Sequence, residues 1–185
     1  MQTTCQRVGD RWKLAVEFEI RDDQPRDWSE ARGSLWLWVG GCLVGNPNAT
    51  EMIMIALDSL RGTARDSRDM ASSLLFGYSS KESLDAVMWA RYGMEDQPPT
   101  RMPKAEDEKL VAVEVLPRRT GPSFDGWEAI LLEDGELERF IYRREHEETA
   151  AAAWPRGTFG GVLGEARAAF ERLAKSIFDE SNGKS

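Results

Sequence analysis

Phe124-Asp125-Gly126-Trp127-Glu128-Ala129-Ile130-Leu131-Leu132-Glu133-Asp134-Gly135-Glu136-Leu137-Glu138-Arg139-Phe140-Ile141-Tyr142-Arg143 is the stretch on which the fold turns. Asp134-Gly135 supplies the positive φ of a tight turn. The runs on either side are rich in Ile, Leu, Phe and Tyr, so two antiparallel strands are expected. The hairpin is led by aromatics and carries many carboxylates without a nucleophile or a base beside them. It points toward binding rather than chemistry.

Outward toward the N-terminus, Trp12 to Ile20 sets Leu14, Val16, Phe18 and Ile20 on one face and Lys13, Ala15, Glu17 and Glu19 on the other. That is the period-two pattern of a half-exposed strand. After a polar loop from Arg21 to Arg32, Leu35, Leu37 and Val39 oppose Trp36 and Trp38, so a strand from Ser34 to Val39 should be covered on both sides. Gly40-Gly41 turns it into a short strand, Cys42 to Val44. Gly45-Asn46-Pro47-Asn48 is turn chemistry, and Asn48 or Thr50 can cap a helix carrying Met52, Ile53, Ala56, Leu57 and Leu60 until Gly62. Met70 to Tyr78 reads as a buried strand or a helical turn. Ser79-x-x-Glu82 is a capping box before a helix whose Leu84, Val87, Met88 and Tyr92 share one face.

Pro98, Pro99 and Pro103 among charges make Glu95 to Lys109 a surface excursion, and Leu110 to Leu116 returns to strand chemistry before a loop from Pro117 to Ser123. Beyond the hairpin, Ala150 to Ala153 is a low-complexity run too short to assign. The last segment repeats Val162, Leu163, Ala166, Ala169, Phe170, Leu173, Ala174, Ile177 and Phe178 at helical spacing, with Thr158 available as its cap. The order β-β-β-α-α-β-β-β-α predicts an α+β fold. A single domain over residues 8–180 would pack a mainly antiparallel sheet of about six strands against about three helices, the last one C-terminal, with a disordered tail at 181–185.

With 24 basic and 32 acidic residues among 185, the net charge is −8. Phosphate binding needs clustered Lys and Arg, so nucleic acid is a poor direct partner and a basic protein a better one. Cys5 and Cys42 lie far apart, outside any zinc spacing, and neither a disulfide framework nor a cofactor is expected. No leader-like segment opens the chain and no apolar run approaches the about 20 residues that span a bilayer, so the cytoplasm is the expected compartment.

Catalytic constellations are also missing. His146 is the only histidine, set among charges in Arg143-Arg144-Glu145-His146-Glu147-Glu148, and Ala150 stands where a metalloprotease would need a second one. Asp22-Asp23 and Glu147-Glu148 fall where loops are expected and read as solvated carboxylates. Gly157-Thr158-Phe159-Gly160-Gly161 could offer amides to an anion, yet matches neither phosphate-binding fingerprint.

Three stretches together resemble the immunity protein 42 family of bacterial polymorphic toxin systems. They are Val8-Gly9-Asp10 running into Leu14 to Ile20, Leu35-Trp36-Leu37-Trp38-Val39-Gly40-Gly41-Cys42-Leu43-Val44-Gly45, and Phe124 through Arg143 followed by Trp154-Pro155-Arg156-Gly157-Thr158-Phe159. The chain departs from the family pattern in its excursion at Glu95 to Lys109 and in Tyr142, where tryptophan is expected. The resemblance implies a cytoplasmic protein, not an enzyme, that binds and neutralises a cognate toxin C-terminal domain by masking it stoichiometrically.

If that toxin is a nuclease, its phosphate-binding surface is basic. The carboxylates expected to meet it, on predicted exposure alone, are Asp22, Asp23, Asp27, Glu30, Glu133, Asp134, Glu136 and Glu138. The alternative is a small ligand-binding or carboxylate-dependent housekeeping α+β domain, recognisable by a pocket holding two carboxylates of raised pKa.

Overall fold

In the computed structural model, residues 4–21, 27–66, 73–92, 122–145 and 147–182 are described. The strand predicted at Leu110 to Leu116, the excursion before it, Asp22, Asp23 and His146 lie outside them. The first sheet contains β1 (Thr4–Asp10), β2 (Leu14–Ile20), β3 (Arg32–Val39) and β4 (Cys42–Val44) in that order, with β5 (Glu51–Met52) also paired to β3. Helix α1 spans Ile53–Asp66, a single helical turn Ser73–Phe76, and α2 Ser80–Tyr92. The second sheet is β6 (Trp127–Asp134), β7 (Leu137–Arg144) and β8 (Ala150–Pro155), and α3 (Thr158–Asn182) follows it. Every strand pairing among the described residues is antiparallel, so the fold is α+β as expected, with the strands divided between two sheets.

The period-two pattern explains the first layer. Leu14, Val16, Phe18 and Ile20 of β2 and Leu35, Leu37 and Val39 of β3 are buried on one face, where they meet Ile53, Ala56, Leu57 and Leu60 of α1 and Phe159, Leu163, Ala166, Phe170 and Ala174 of α3. Phe18 and Phe170 touch edge to face at 5.8 Å. On the reverse face Trp36 is buried, and Trp38 donates its indole N–H to Glu17 at 2.6 Å. The doubly covered strand is real at Trp36.

The second sheet is buried on both sides because β6 and β7 alternate two apolar sets. Ala129, Leu131, Phe140 and Tyr142 turn toward the first sheet and α3, while Ile130, Leu132 and Ile141 pack on Leu75, Leu84, Val87 and Met88. Phe140 stacks with Phe159 at 5.3 Å. The Tyr142 hydroxyl donates to Val39 O of the other sheet. Gly135, with φ 45°, opens the two-residue turn between β6 and β7.

Local chemistry holds several boundaries. Ser79 and Glu82 form the expected capping box, Glu82 Oε2 accepting from Ser79 N at 3.1 Å and Ser79 Oγ from Glu82 N at 3.3 Å. The part of Met70 to Tyr78 that is described forms the helical turn. Helix α1 starts at Ile53 rather than at an Asn48 or Thr50 cap, because Glu51 and Met52 pair with Gly33 and Arg32 first. Thr158 Oγ1 donates to Pro155 O, and the capping of α3 is done from elsewhere.

Glu51 is the misfit of this core. It is 7% exposed, neither carboxylate oxygen accepts a hydrogen bond from a described residue, and Ser123 Oγ stands beside it without bonding geometry. Burial pushes its pKa up, helped by the charge of Asp125. A carboxyl raised in the folded state contributes stability that is present below the ordinary glutamate pKa and lost as pH rises through the folded one. Glu51→Gln removes the ionisation without changing shape. It should therefore raise the melting temperature by a few degrees at pH 7 and leave it unchanged at pH 4, as thermal unfolding at both pH values would read.

Candidate functional site

The acidic residues separate once the strands are laid in register. Glu133 and Glu138 are directly opposite across β6 and β7, on the face turned toward the first sheet, and are 3% and 1% exposed. The expectation that they sit on the surface is wrong. Carboxylates usually avoid burial, but here β8 and the start of α3 close over them and supply partners. Glu138 accepts from the Trp154 indole at 2.5 Å, from Gly157 N at 2.9 Å and from Phe159 N. It is the anion at the N-terminus of α3, where free amides and the helix dipole favour negative charge. Two of the amides considered for a phosphate, those of Gly157 and Phe159, are thus engaged by a side chain of the chain itself. Arg156 Nε lies 2.9 Å from Glu133 Oε2 and balances the neighbouring charge.

Asp134 and Glu136 remain exposed at the hairpin tip beside Leu137, itself 44% exposed. Asp27 and Glu30 are exposed too, but Asp27 caps the 3-10 turn Trp28–Glu30 by accepting from Ser29 N at 3.0 Å. That turn lies against the far half of α3, with Lys175 Nζ 4.4 Å from the centre of the Trp28 ring. The hairpin tip lies at the opposite end, where Arg156 N donates to Glu136 O. The two exposed acidic groups are separated by about 25 Å of helix and do not form one patch.

Two other surface features lie outside the carboxylates expected from the sequence. Trp12 is 69% exposed in the β1–β2 turn, and the Arg11 guanidinium lies over its ring at 5.0 Å and over that of Trp38 at 4.7 Å. Amphipathic Trp and Arg are the residue types that dominate binding energy at protein interfaces. The second is a cavity of about 270 Å³ lined by Phe124, Asp125, Gly126, Trp127, Glu128 and Glu145. The Phe124-Asp125-Gly126-Trp127 signature is visible in the chain, but Glu145 joins it only through the register that sets Trp127 opposite Arg144. Among the described residues no three His, Cys, Asp or Glu side chains are placed to hold a metal ion, and no helix is long and apolar enough to cross a membrane.

A family model described as Immunity protein 42 matches residues 4–169. A crystal structure of CdiI from Burkholderia dolosa AUO158 superposes with a TM-score of 0.62 at 18% sequence identity, covering 89% of this chain and 99% of that one. At that identity the likeness concerns the fold. No curated protein matches the chain significantly.

Proposed function

Since the chain belongs to the immunity protein 42 family, and so is a toxin-neutralising immunity protein, we propose that it acts by masking: one copy covers the active or substrate-binding surface of one cognate toxin domain. The family match over residues 4–169 carries this reading. On it, the protein performs no chemistry and works in the cytoplasm, where the toxin acts. The net charge of −8 favours a basic toxin surface, such as that of a nuclease. The exposed carboxylates Asp134 and Glu136 at one end of α3, or Asp27 and Glu30 at the other, are its proposed contacts, with Asp22 and Asp23 belonging to the second group by sequence. Glu133 and Glu138 are withdrawn from the contact set, since both are buried.

Charge steers the encounter and a few anchors hold the complex. The housekeeping alternative is not favoured. The test is to mix the purified protein with the toxin domain encoded beside it and to measure mass and stoichiometry by size-exclusion chromatography with light scattering. A one-to-one complex is expected. Separate elution at micromolar concentration would contradict the masking mechanism.

A further inference from the structure

The alanine run Ala150 to Ala153 lies in β8, at an outer edge of the second sheet. Hydrogen bonding in the ladder fixes which of its backbone groups are spare. In an antiparallel pair, residues directly opposite alternate between exchanging both bonds and exchanging none. Arg156 N donates to Glu136 O at 2.8 Å, one position beyond Pro155 opposite Leu137. The bonded pairs along β8 are therefore Trp154 with Glu138, Ala152 with Phe140 and Ala150 with Tyr142. The β6–β7 hairpin gives the same parity independently. There Glu145 N donates to Gly126 O at 2.8 Å, which commits Arg139, Ile141 and Arg143 to β6 and leaves Glu138, Phe140 and Tyr142 for β8. Ala151 and Ala153 thus turn both N–H and C=O outward, and no described residue bonds to those groups. Pro155 fits the same alternation, since its missing N–H would also point outward.

Natural sheets blunt a free edge with charged side chains, proline, bulges or a cover. Before Pro155, β8 carries none of these. Ala151 and Ala153 are exposed and end at Cβ, so a second backbone can approach without displacing a side chain. The opposite edge of this sheet differs, because the outward residues of β6 include Ala129, Leu131 and Glu133, all buried. At the edge of the first sheet, β1 carries the charge of Arg7.

The surroundings of β8 specify the chemistry of an added strand. Glu147 and Glu148 stand exposed just before Ala150. Asp134 and Glu136 stand exposed at the other end, beside Arg156, whose own charge is taken up by Glu133. Half-buried Ala150 and Ala152 offer apolar surface between the two ends. Ala152 also faces Gly40, where an added Cβ would lie 3.9 Å away, and the next residue, Gly41, carries the ring of the exposed Trp12. An extended segment with Lys or Arg toward its ends and apolar side chains between them matches this edge. A second copy of the chain does not, since it brings a further net charge of −8 and sets the acidic ends of both strands together.

We propose that a strand of the toxin domain adds to β8, its main chain hydrogen-bonded to Ala151 and Ala153 and its basic side chains turned to Asp134, Glu136, Glu147 and Glu148. The inference rests on the reading of the protein as a toxin-binding immunity protein and deepens it by naming the mode of binding.

Residue-resolved amide exchange of the whole protein tests it in two stages. Alone, the Ala151 and Ala153 amides should exchange rapidly, while those of Ala150, Ala152 and Trp154 are slowed by the ladder. Slow exchange at Ala151 and Ala153 in the free protein overturns the open edge, and slowing that grows with protein concentration assigns the edge to a second copy instead. With a toxin domain that the wild type binds, both amides should slow by at least about 100-fold. Unchanged exchange overturns the proposal. Ala151→Pro removes only an outward N–H, so it should melt within about two degrees of wild type and lose at least about tenfold in affinity. Ala152→Pro breaks the ladder bond to Phe140 and is the control that should melt lower. Equal destabilisation by the two prolines contradicts the strand parity, and unchanged affinity of the Ala151→Pro variant contradicts the strand addition. A toxin domain that the wild type itself fails to bind contradicts the masking reading and the partner with it, while exchange in the free protein still decides the edge.

Discussion

Glu138→Ala should melt roughly 6–20 °C below the wild type, the largest loss expected from any single change at a charged residue here. The carboxylate binds the Trp154 indole and two backbone amides at the start of α3, and its removal leaves three donors, two of them buried, without that acceptor. Breaking such a buried charged network costs about 3–5 kcal/mol, and each kcal/mol moves the midpoint by about 2–4 °C in a chain of this size. Glu138→Gln keeps one acceptor oxygen and should fall between the two. Thermal and urea unfolding of the three proteins measures it directly. A melting temperature for the alanine variant within two degrees of wild type would mean that Glu138 does not hold α3.

Charge reversal at the hairpin tip carries the second large effect. Asp134→Lys with Glu136→Lys changes four units of charge on an exposed turn and leaves the buried side chains undisturbed. Unfolding should shift by less than a degree or two. Association with the toxin domain should slow by about tenfold or more at low salt, because steering acts at long range. The difference should fade toward 1 M salt, where the Debye length is about 3 Å. Asp27→Lys with Glu30→Lys is the internal comparison, since those residues sit about 25 Å away along α3. Stopped-flow association separates the two ends. Equal rates for the tip variant and wild type at low salt would remove the tip from the contact surface.

Much of this fold is legible in the chain because its strongest signals are local. The alternation in Leu14 to Ile20, the Gly-turned hairpins, the Ser79–Glu82 box and the spacing of α3 each need only neighbours in sequence. What escapes depends on distant pairing. Ala150 to Pro155 has no strand propensity to speak of, yet it forms β8 because β7 offers an edge along most of its length, from Leu137 opposite Pro155 to Tyr142 opposite Ala150. The polar β1, Thr4–Asp10, is likewise ordered by its ladder with β2.

The same cause explains the misplaced acids. Glu133 and Glu138 carry the charge of surface residues, and nothing local tells that Trp154, Arg156 and the amides of α3 arrive over them. Asp134 and Glu136, at the turn itself, are exposed as their sequence suggests. The cavity at Trp127 falls between these cases. Its aromatic half is contiguous in sequence, whereas Glu145 reaches it only through strand register.

The most direct measurement is growth rescue: the toxin domain encoded beside this chain is expressed from an inducible promoter in a host that also carries the immunity gene, a Glu138→Ala version of it, or neither. Full rescue by the wild type, weakened with the destabilised variant and accompanied by a co-purifying one-to-one complex, is the predicted result. Growth arrest that the wild type does not relieve, at expression levels exceeding those of the toxin domain, would contradict stoichiometric masking of that toxin.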